Sequence, residues 1–174
     1  MMMRMLAAGG VPMLSDEARR ADASNPNGYF EFAPVKDLPS GAAPVWLDDA
    51  RGKAIKIVSP LLTWLPETHD CLVLFMKRDL GEVVASQQAM LAERGEPATG
   101  DAAQLASVYA AHLEDVRRFL ARRSCFRVLD VEHRGVVDEP RQWAARIAVF
   151  LERDLDISAM ADAVDPRLHR QRHD

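Results

Sequence analysis

The run CLVLFM at residues 71–76 constrains the fold of this chain more than any other segment. It is apolar without a break, which is typical of a β-strand that is covered on both faces in a parallel sheet. Two further segments, KAIKIV at 53–58 and FRVLDVE at 126–132, have the composition of strands. Helical patterns alternate with these strands, at residues 79–94, 101–123 and 140–154. The sequence therefore predicts an α/β fold built on a parallel sheet.

Size and charge narrow the function classes. The 174 residues suffice for a single domain over residues 1–174 with a buried core. The formal net charge of −4 gives no general attraction to nucleic acid or to an anionic membrane, so any anion site must be local. No apolar run approaches the ~20 residues of a membrane-spanning helix. We therefore expect a cytoplasmic protein without a nucleic-acid or membrane partner.

The cysteines and histidines do not suggest a metal site. Cys71 and Cys125 each begin an apolar run, where a cysteine is usually a small buried apolar side chain. The five histidines are scattered, and no cluster has ligand spacing. His112 lies on the apolar face of the helix predicted at 101–123, which favours a core histidine over a ligand. We expect free thiols in a reducing compartment and no metal cofactor.

The end of the strand at 71–76 is a candidate anion site. Ligands of open α/β sheets lie beyond the carboxyl ends of the strands, and Arg78 follows this strand. A helix begins at once, so its positive dipole end points to the same place. Ser86 lies two turns along that helix, and an arginine fork with a hydroxyl can hold one phosphate. The alternative is that Arg78 pairs with Asp79 or Glu82 and that Ser86 bonds to a backbone carbonyl.

Several stretches together resemble one family. KRDLGEVVAS at 77–86 resembles the 3′-phosphate motif of the cytosolic-type sulfotransferases, in which an arginine ends a strand and a serine follows eight residues later. KAIKIVSPLLTWLP at 53–66 resembles the family's Lys-Thr-His-x-Pro strand followed by Leu-Leu-Pro. The segment 128–151 resembles its later strand, x-Asp-Pro and helix, and NPNGYFEF at 25–32 is similar to a turn common in bacterial members. The resemblance covers nearly the whole chain and implies a three-layer parallel sheet of the P-loop nucleotide-transferase type.

The resemblance also implies an activity and roles for four residues. The co-substrate is 3′-phosphoadenosine 5′-phosphosulfate (PAPS), and the acceptor is a hydroxyl or amine of a small molecule or carbohydrate. Arg78 and Ser86 bind the 3′-phosphate of PAPS, and Lys56 supports the leaving oxygen. The family's catalytic histidine falls at Val58, which cannot take a proton. Glu31, set among aromatic residues where desolvation favours proton acceptance, is then the candidate base.

The alternatives to these roles are ordinary ones. Glu31 can equally be a surface or structural carboxylate, and Lys56 a solvated lysine on a strand. Glu132 and His133 end the third predicted strand, where they can reach the crevice or brace loops. In the family, arginines near the end of the chain often help to bind the nucleotide. The corresponding residues here are Arg167, Arg170 and Arg172. The default interpretation is that they form a solvated basic tail.

One part of the family pattern has no counterpart. The first strand and the phosphate loop for the 5′-phosphosulfate precede the helix that residues 1–8 resemble, so we expect an N-terminally truncated domain. That strand is normally central, between the strands at 71–76 and 126–130, and its loss predicts two unpaired inner edges that could mediate a homodimer. The alternative is a non-catalytic remnant or a nucleotide- or protein-binding module. A third interpretation is a nucleotide kinase relative with the same sheet.

Overall fold

The structure, a computed structural model, describes residues 1–16, 28–93, 95 and 100–165. Its elements are α1 (Met2–Ala8), a 3₁₀ helix (Ala33–Ser40), α2 (Trp46–Asp49), α3 (Ser59–Leu62), β1 (Cys71–Lys77), α4 (Leu80–Glu93), α5 (Ala102–Ala121), β2 (Phe126–Glu132), α6 (His133–Asp138), α7 (Pro140–Leu151) and α8 (Ile157–Asp162). The predicted mixture of α and β structure is confirmed. The strands at 71–76 and 126–132 and the helices predicted at 79–94, 101–123 and 140–154 lie close to their predicted bounds, whereas α6 and α8 were not predicted.

The two strands form a parallel pair. Cys71 lies opposite Phe126, and the register runs to Lys77 opposite Glu132. Helices α4 and α5 connect the strands, as a parallel crossover requires. The prediction of two unpaired inner edges at these strands was wrong. The backbone N–H and C=O groups of the two edges satisfy one another directly, which removes the penalty of leaving them unpaired.

The predicted strand at 53–58 does not form. Its one ladder contact is an isolated parallel bridge between Met13 and Ala54. The Ala54 N–H donates to the Pro12 carbonyl at 2.8 Å, and the Leu14 N–H donates to the Ala54 carbonyl at 2.9 Å. Beyond Ala54 the segment has no ladder partner among the described residues. The segment at 53–58 therefore has the composition of a strand but lacks the partner strand that it needs to form one.

Two hydrophobic clusters cover the two faces of the sheet. The α7 core comprises Met2, Met5, Leu6, Val11, Val131, Val136, Trp143, Ala144, Ile147, Ala148, Leu155 and Met160. The α5 core comprises Val35, Leu38, Leu47, Leu62, Leu65, Phe75, Val116, Leu120 and Phe126. Leu74 of β1 packs against the α7 core, whereas Val73 packs against the α5 core. The run at 71–76 therefore contacts both cores, although Leu72 and Met76 within it are 41% and 36% exposed.

Some predictions fall elsewhere. Arg167, Arg170 and Arg172, the late arginines of the sequence analysis, lie outside the described residues. Across the described ranges, none of the helices has both the length and the apolar character needed to cross a membrane.

The thiol of Cys71 is expected to react slowly. Both cysteines are free, and burial raises the pKa of the Cys71 thiol, with smaller contributions from Cys125 and Asp70 in the same direction. A raised pKa lowers the thiolate fraction, so in a Cys125→Ser variant a thiol reagent at about pH 8 should label native Cys71 more slowly than free cysteine. The rate should rise with pH and should reach the free rate in urea. Labelling of the native protein at the free rate would contradict the half-buried placement of Cys71.

Candidate functional site

The turn between β1 and α4 carries the predicted phosphate motif. Strand β1 ends at Lys77, and α4 begins at Leu80. The Asp79 carboxylate accepts a hydrogen bond from the Glu82 backbone N–H at 3.0 Å, so Asp79 caps the helix as its position predicts. The Lys77 ammonium pairs with Glu132, 2.7 Å away, across the two strand ends. Arg78 is thus placed at the carboxyl end of the sheet, beside a capped helix N-terminus.

Arg78 is held by a buried carboxylate. Its Nε donates to Glu82 Oε2 at 3.3 Å, one helical turn away, as the alternative interpretation had it. Glu82 is 6% exposed and is the one buried charged residue among those that the structure describes. The two terminal Nη groups of Arg78 form no hydrogen bond or ion pair with any described residue. The ion pair therefore engages one edge of the guanidinium and leaves its terminal fork available to an anion.

Ser86 lies further along α4 and is half-buried. Its hydroxyl forms no hydrogen bond within the described ranges, so the predicted bond to a backbone carbonyl is not seen there. Asp79 and Glu82 also place two carboxylates beside the one guanidinium. An anion at this site must therefore be bound by directed hydrogen bonds, because the local net charge does not attract it.

Glu31 and Lys56, the two predicted catalytic residues, lie together. Lys56 Nζ is 3.9 Å from Glu31 Oε1, and it donates to the Tyr29 carbonyl at 2.8 Å. Phe30, between the two contacted residues, has a φ of 50°, a left-handed conformation that non-glycine residues rarely adopt. This sharp turn lets one lysine contact both Tyr29 and Glu31.

The surroundings of Glu31 differ from the expected apolar setting. Lys36 Nζ lies 3.3 Å from Glu31 Oε2, so the carboxylate is flanked by two ammonium groups, and 23% of its side chain is exposed. The Lys56 ammonium also lies 5.7 Å from the centre of the Tyr29 ring. Glu31 is therefore an ion-paired carboxylate rather than a desolvated one. A carboxylate within reach of an acceptor hydroxyl can still act as a general base.

Next to Val58, Ser59 and His112 form a hydrogen bond that the sequence did not predict. Val58 is 53% exposed and offers no acid–base group. The next residue, Ser59, forms a hydrogen bond of 3.0 Å with Nε2 of His112. His112 is half-buried, which fits the predicted core histidine with a satisfied ring nitrogen. The two residues are 53 positions apart, so no spacing pattern signals the contact.

A cavity of about 720 Å³ lies between the two cores and takes in part of this site. Lys56, Tyr29 and Phe30 line it, whereas Arg78 and Ser86 do not. No hydrogen bond or ion pair of the described residues connects Lys56 or Glu31 to Arg78 or Ser86. The structure therefore brings the predicted catalytic residues together with each other, whereas the predicted phosphate residues, Arg78 in the β1–α4 turn and Ser86 on α4, lie outside this cavity.

The charges beside the cavity are mostly positive. Arg4 and Lys53 line it, with Lys56. The pKa of the Met1 ammonium is lowered first by burial and then by the positive charges of Arg4 and Lys56. The positive charges of Arg4 and Lys56 therefore both reach the Met1 ammonium at this cavity.

The described residues contain no group of three or more histidine, cysteine, aspartate or glutamate side chains that could hold a metal ion. Comparison of the chain with models of known protein families, with characterised proteins and with solved structures finds no match.

Proposed function

We propose that this chain is a sulfotransferase domain of the bacterial PAPS-dependent type, with the parallel sheet of the P-loop nucleotide-transferase fold. It would transfer a sulfuryl group from PAPS to a hydroxyl or amine of a small-molecule or carbohydrate acceptor. The observation that carries the proposal is the contact between Lys56 and Glu31, 3.9 Å apart. The two residues come from separate stretches that resemble the family, and the proposal gives them complementary roles.

Arg78 and Ser86 have the task of binding the 3′-phosphate. The free Nη fork of Arg78 suits two parallel hydrogen bonds to phosphate oxygens. Glu82 holds the other edge of the guanidinium, so less freedom is lost when the phosphate binds. The Ser86 hydroxyl supplies a further donor. The family's loop for the 5′-phosphosulfate has no counterpart in the sequence, so these residues account for the 3′ end of PAPS alone.

Glu31 and Lys56 have the task of assisting the transfer. The acceptor oxygen attacks sulfur in line with the departing phosphate oxygen, and the bond between sulfur and that oxygen breaks. The acceptor proton passes to the Glu31 carboxylate. The Lys56 ammonium stabilises the charge that develops on the leaving oxygen of adenosine 3′,5′-bisphosphate. Most of the acceleration comes from positioning and charge neutralisation, as in phosphoryl transfer.

The Arg78→Ala variant tests the phosphate site. We expect its affinity for adenosine 3′,5′-bisphosphate, measured by calorimetry, to fall at least about tenfold, because the bidentate contact is lost. Its affinity for adenosine 5′-monophosphate, which lacks the 3′-phosphate, should change little. Lys77→Ala is the matched control, because it removes the adjacent cation, which is paired with Glu132.

A second variant, Ser86→Ala, distinguishes a loss of binding from a loss of folding. Ser86→Ala removes only a hydroxyl and should weaken binding of the bisphosphate more than that of the monophosphate. Equal affinity of the parent and both variants for the bisphosphate would reject the phosphate site and, with it, the proposed function.

A non-catalytic nucleotide- or protein-binding module is the second candidate. The direct pairing of β1 with β2 favours it, because the sheet closes without the central strand of the family. An assay with labelled PAPS and a panel of alcohols, phenols and amines separates the two. Bisphosphate binding without sulfuryl transfer to any acceptor would favour the module. Stronger binding of a nucleoside triphosphate than of the bisphosphate would favour a kinase relative.

A further inference from the structure

The cavity between the two cores has an extended apolar wall beside the proposed reaction site. Met2 and Leu6 of the α7 core line one side, and Leu47, Leu62 and Phe75 of the α5 core line the other. Its volume of about 720 Å³ is within the range of pockets for small organic ligands. An apolar wall of this extent gains from contact with an apolar ligand body, because that contact removes both surfaces from water.

The charged residues beside this wall favour an anionic ligand. Lys53, Lys56 and Arg4 line the cavity together with the one carboxylate of Asp70. Arg4 is half-buried and forms no ion pair with any residue that the structure describes. Arg4 and Lys56 both line this cavity, and both positive charges lower the pKa of the Met1 ammonium, which burial lowers most. A guanidinium beside an apolar wall is well suited to a carboxylate, which it can bind through two hydrogen bonds.

We propose that this cavity binds a long-chain carboxylate, with its alkyl chain along the apolar wall and its carboxylate at Arg4 and Lys56. A neutral apolar molecule would leave the Arg4 charge without a partner, and a small anion would leave the apolar wall exposed. The proposal goes beyond the proposed function, because binding requires no nucleotide and no transfer step. In a working transferase such a ligand would compete with any acceptor that approaches Lys56.

Calorimetry with decanoate tests this proposal on the full chain. We expect saturable binding of one decanoate, with 1-decanol and acetate each at least about tenfold weaker, because each lacks one half of the recognition. Arg4→Met should weaken decanoate binding at least about tenfold and leave 1-decanol unchanged. Arg118→Met, which removes an exposed arginine of α5, is the matched control and should change neither.

A second variant tests the apolar wall. Leu72 lines the cavity and is 41% exposed, so Leu72→Asp should be tolerated by the fold and should weaken both decanoate and 1-decanol. Val108→Asp, at a position of α5 that is 57% exposed and does not line the cavity, should weaken neither. If Arg4→Met does not fold, Arg4→Gln replaces it. Equal affinity for decanoate and 1-decanol, or no saturable binding to the folded chain, would overturn the proposal. Loss of bisphosphate binding would bear only on the proposed function.

Discussion

Replacing Ile147 with alanine is expected to lower the free energy of unfolding by about 2–5 kcal/mol, because it leaves a cavity in a closely packed core. Ile147 has no exposed surface and belongs to the α7 core, where it packs with residues of α1 and α8. Ile147→Val removes a single methylene and should lower the same quantity by about 0.5–1.5 kcal/mol. Urea denaturation monitored by circular dichroism measures the free energy of unfolding of the parent and of each variant.

Helix α7 offers its own control. Val149 lies two residues further along and is 78% exposed, so Val149→Ala should change the free energy of unfolding by less than about 0.5 kcal/mol. A similar loss in Ile147→Ala and Val149→Ala would mean that α7 does not pack on the sheet as described. That result would remove the support of β1, the strand that precedes Arg78.

Arg78→Ala is also expected to destabilise the protein by about 1–3 kcal/mol, because it takes the guanidinium away from the buried carboxylate of Glu82. The side chain of Arg78 is 28% exposed, so the loss should be smaller than for a fully buried pair. The double variant with Glu82→Gln removes the buried charge as well and should regain most of this stability. Neither variant should regain affinity for adenosine 3′,5′-bisphosphate.

The comparison of the two variants separates stability from binding. Thermal unfolding gives the stability of each, and calorimetry gives its affinity for the bisphosphate. If the double variant binds the bisphosphate as tightly as the parent, Arg78 is a structural partner of Glu82 and has no role in phosphate binding. If stability is not regained, contacts of Glu82 other than the pair with Arg78 account for the loss.

The strands were predictable where a run of strand-forming residues also has a partner strand. In the run at 71–76, Val73 and Leu74 contact different cores, and its strand was predicted almost to the residue. The segment at 53–58 has similar composition, but strand structure depends on a partner, and only Ala54 has one. Composition cannot supply that information.

In the candidate site, as in the sheet, local contacts were predictable from the sequence and non-local ones were not. Arg78 and Glu82 are four residues apart across the start of α4, so their contact can be read from the sequence. The contact of Lys56 with Glu31 depends on the left-handed turn at Phe30, and no residue type at that position announces such a turn. The cavity depends on how the segment around Ile57 lies relative to β1, which is a property of the whole fold.

The parallel pairing of β1 with β2 also bears on how the chain reaches this structure. Cys71 and Phe126 are partners in the sheet, although about 55 residues separate them in the chain, and closing so long a loop has an entropic cost before any ladder bond forms. Helices α4 and α5 depend on local hydrogen bonds and can form within microseconds. Non-local pairing of this kind slows folding. The sheet that presents Arg78 is therefore expected to assemble last, after the helices that connect its strands.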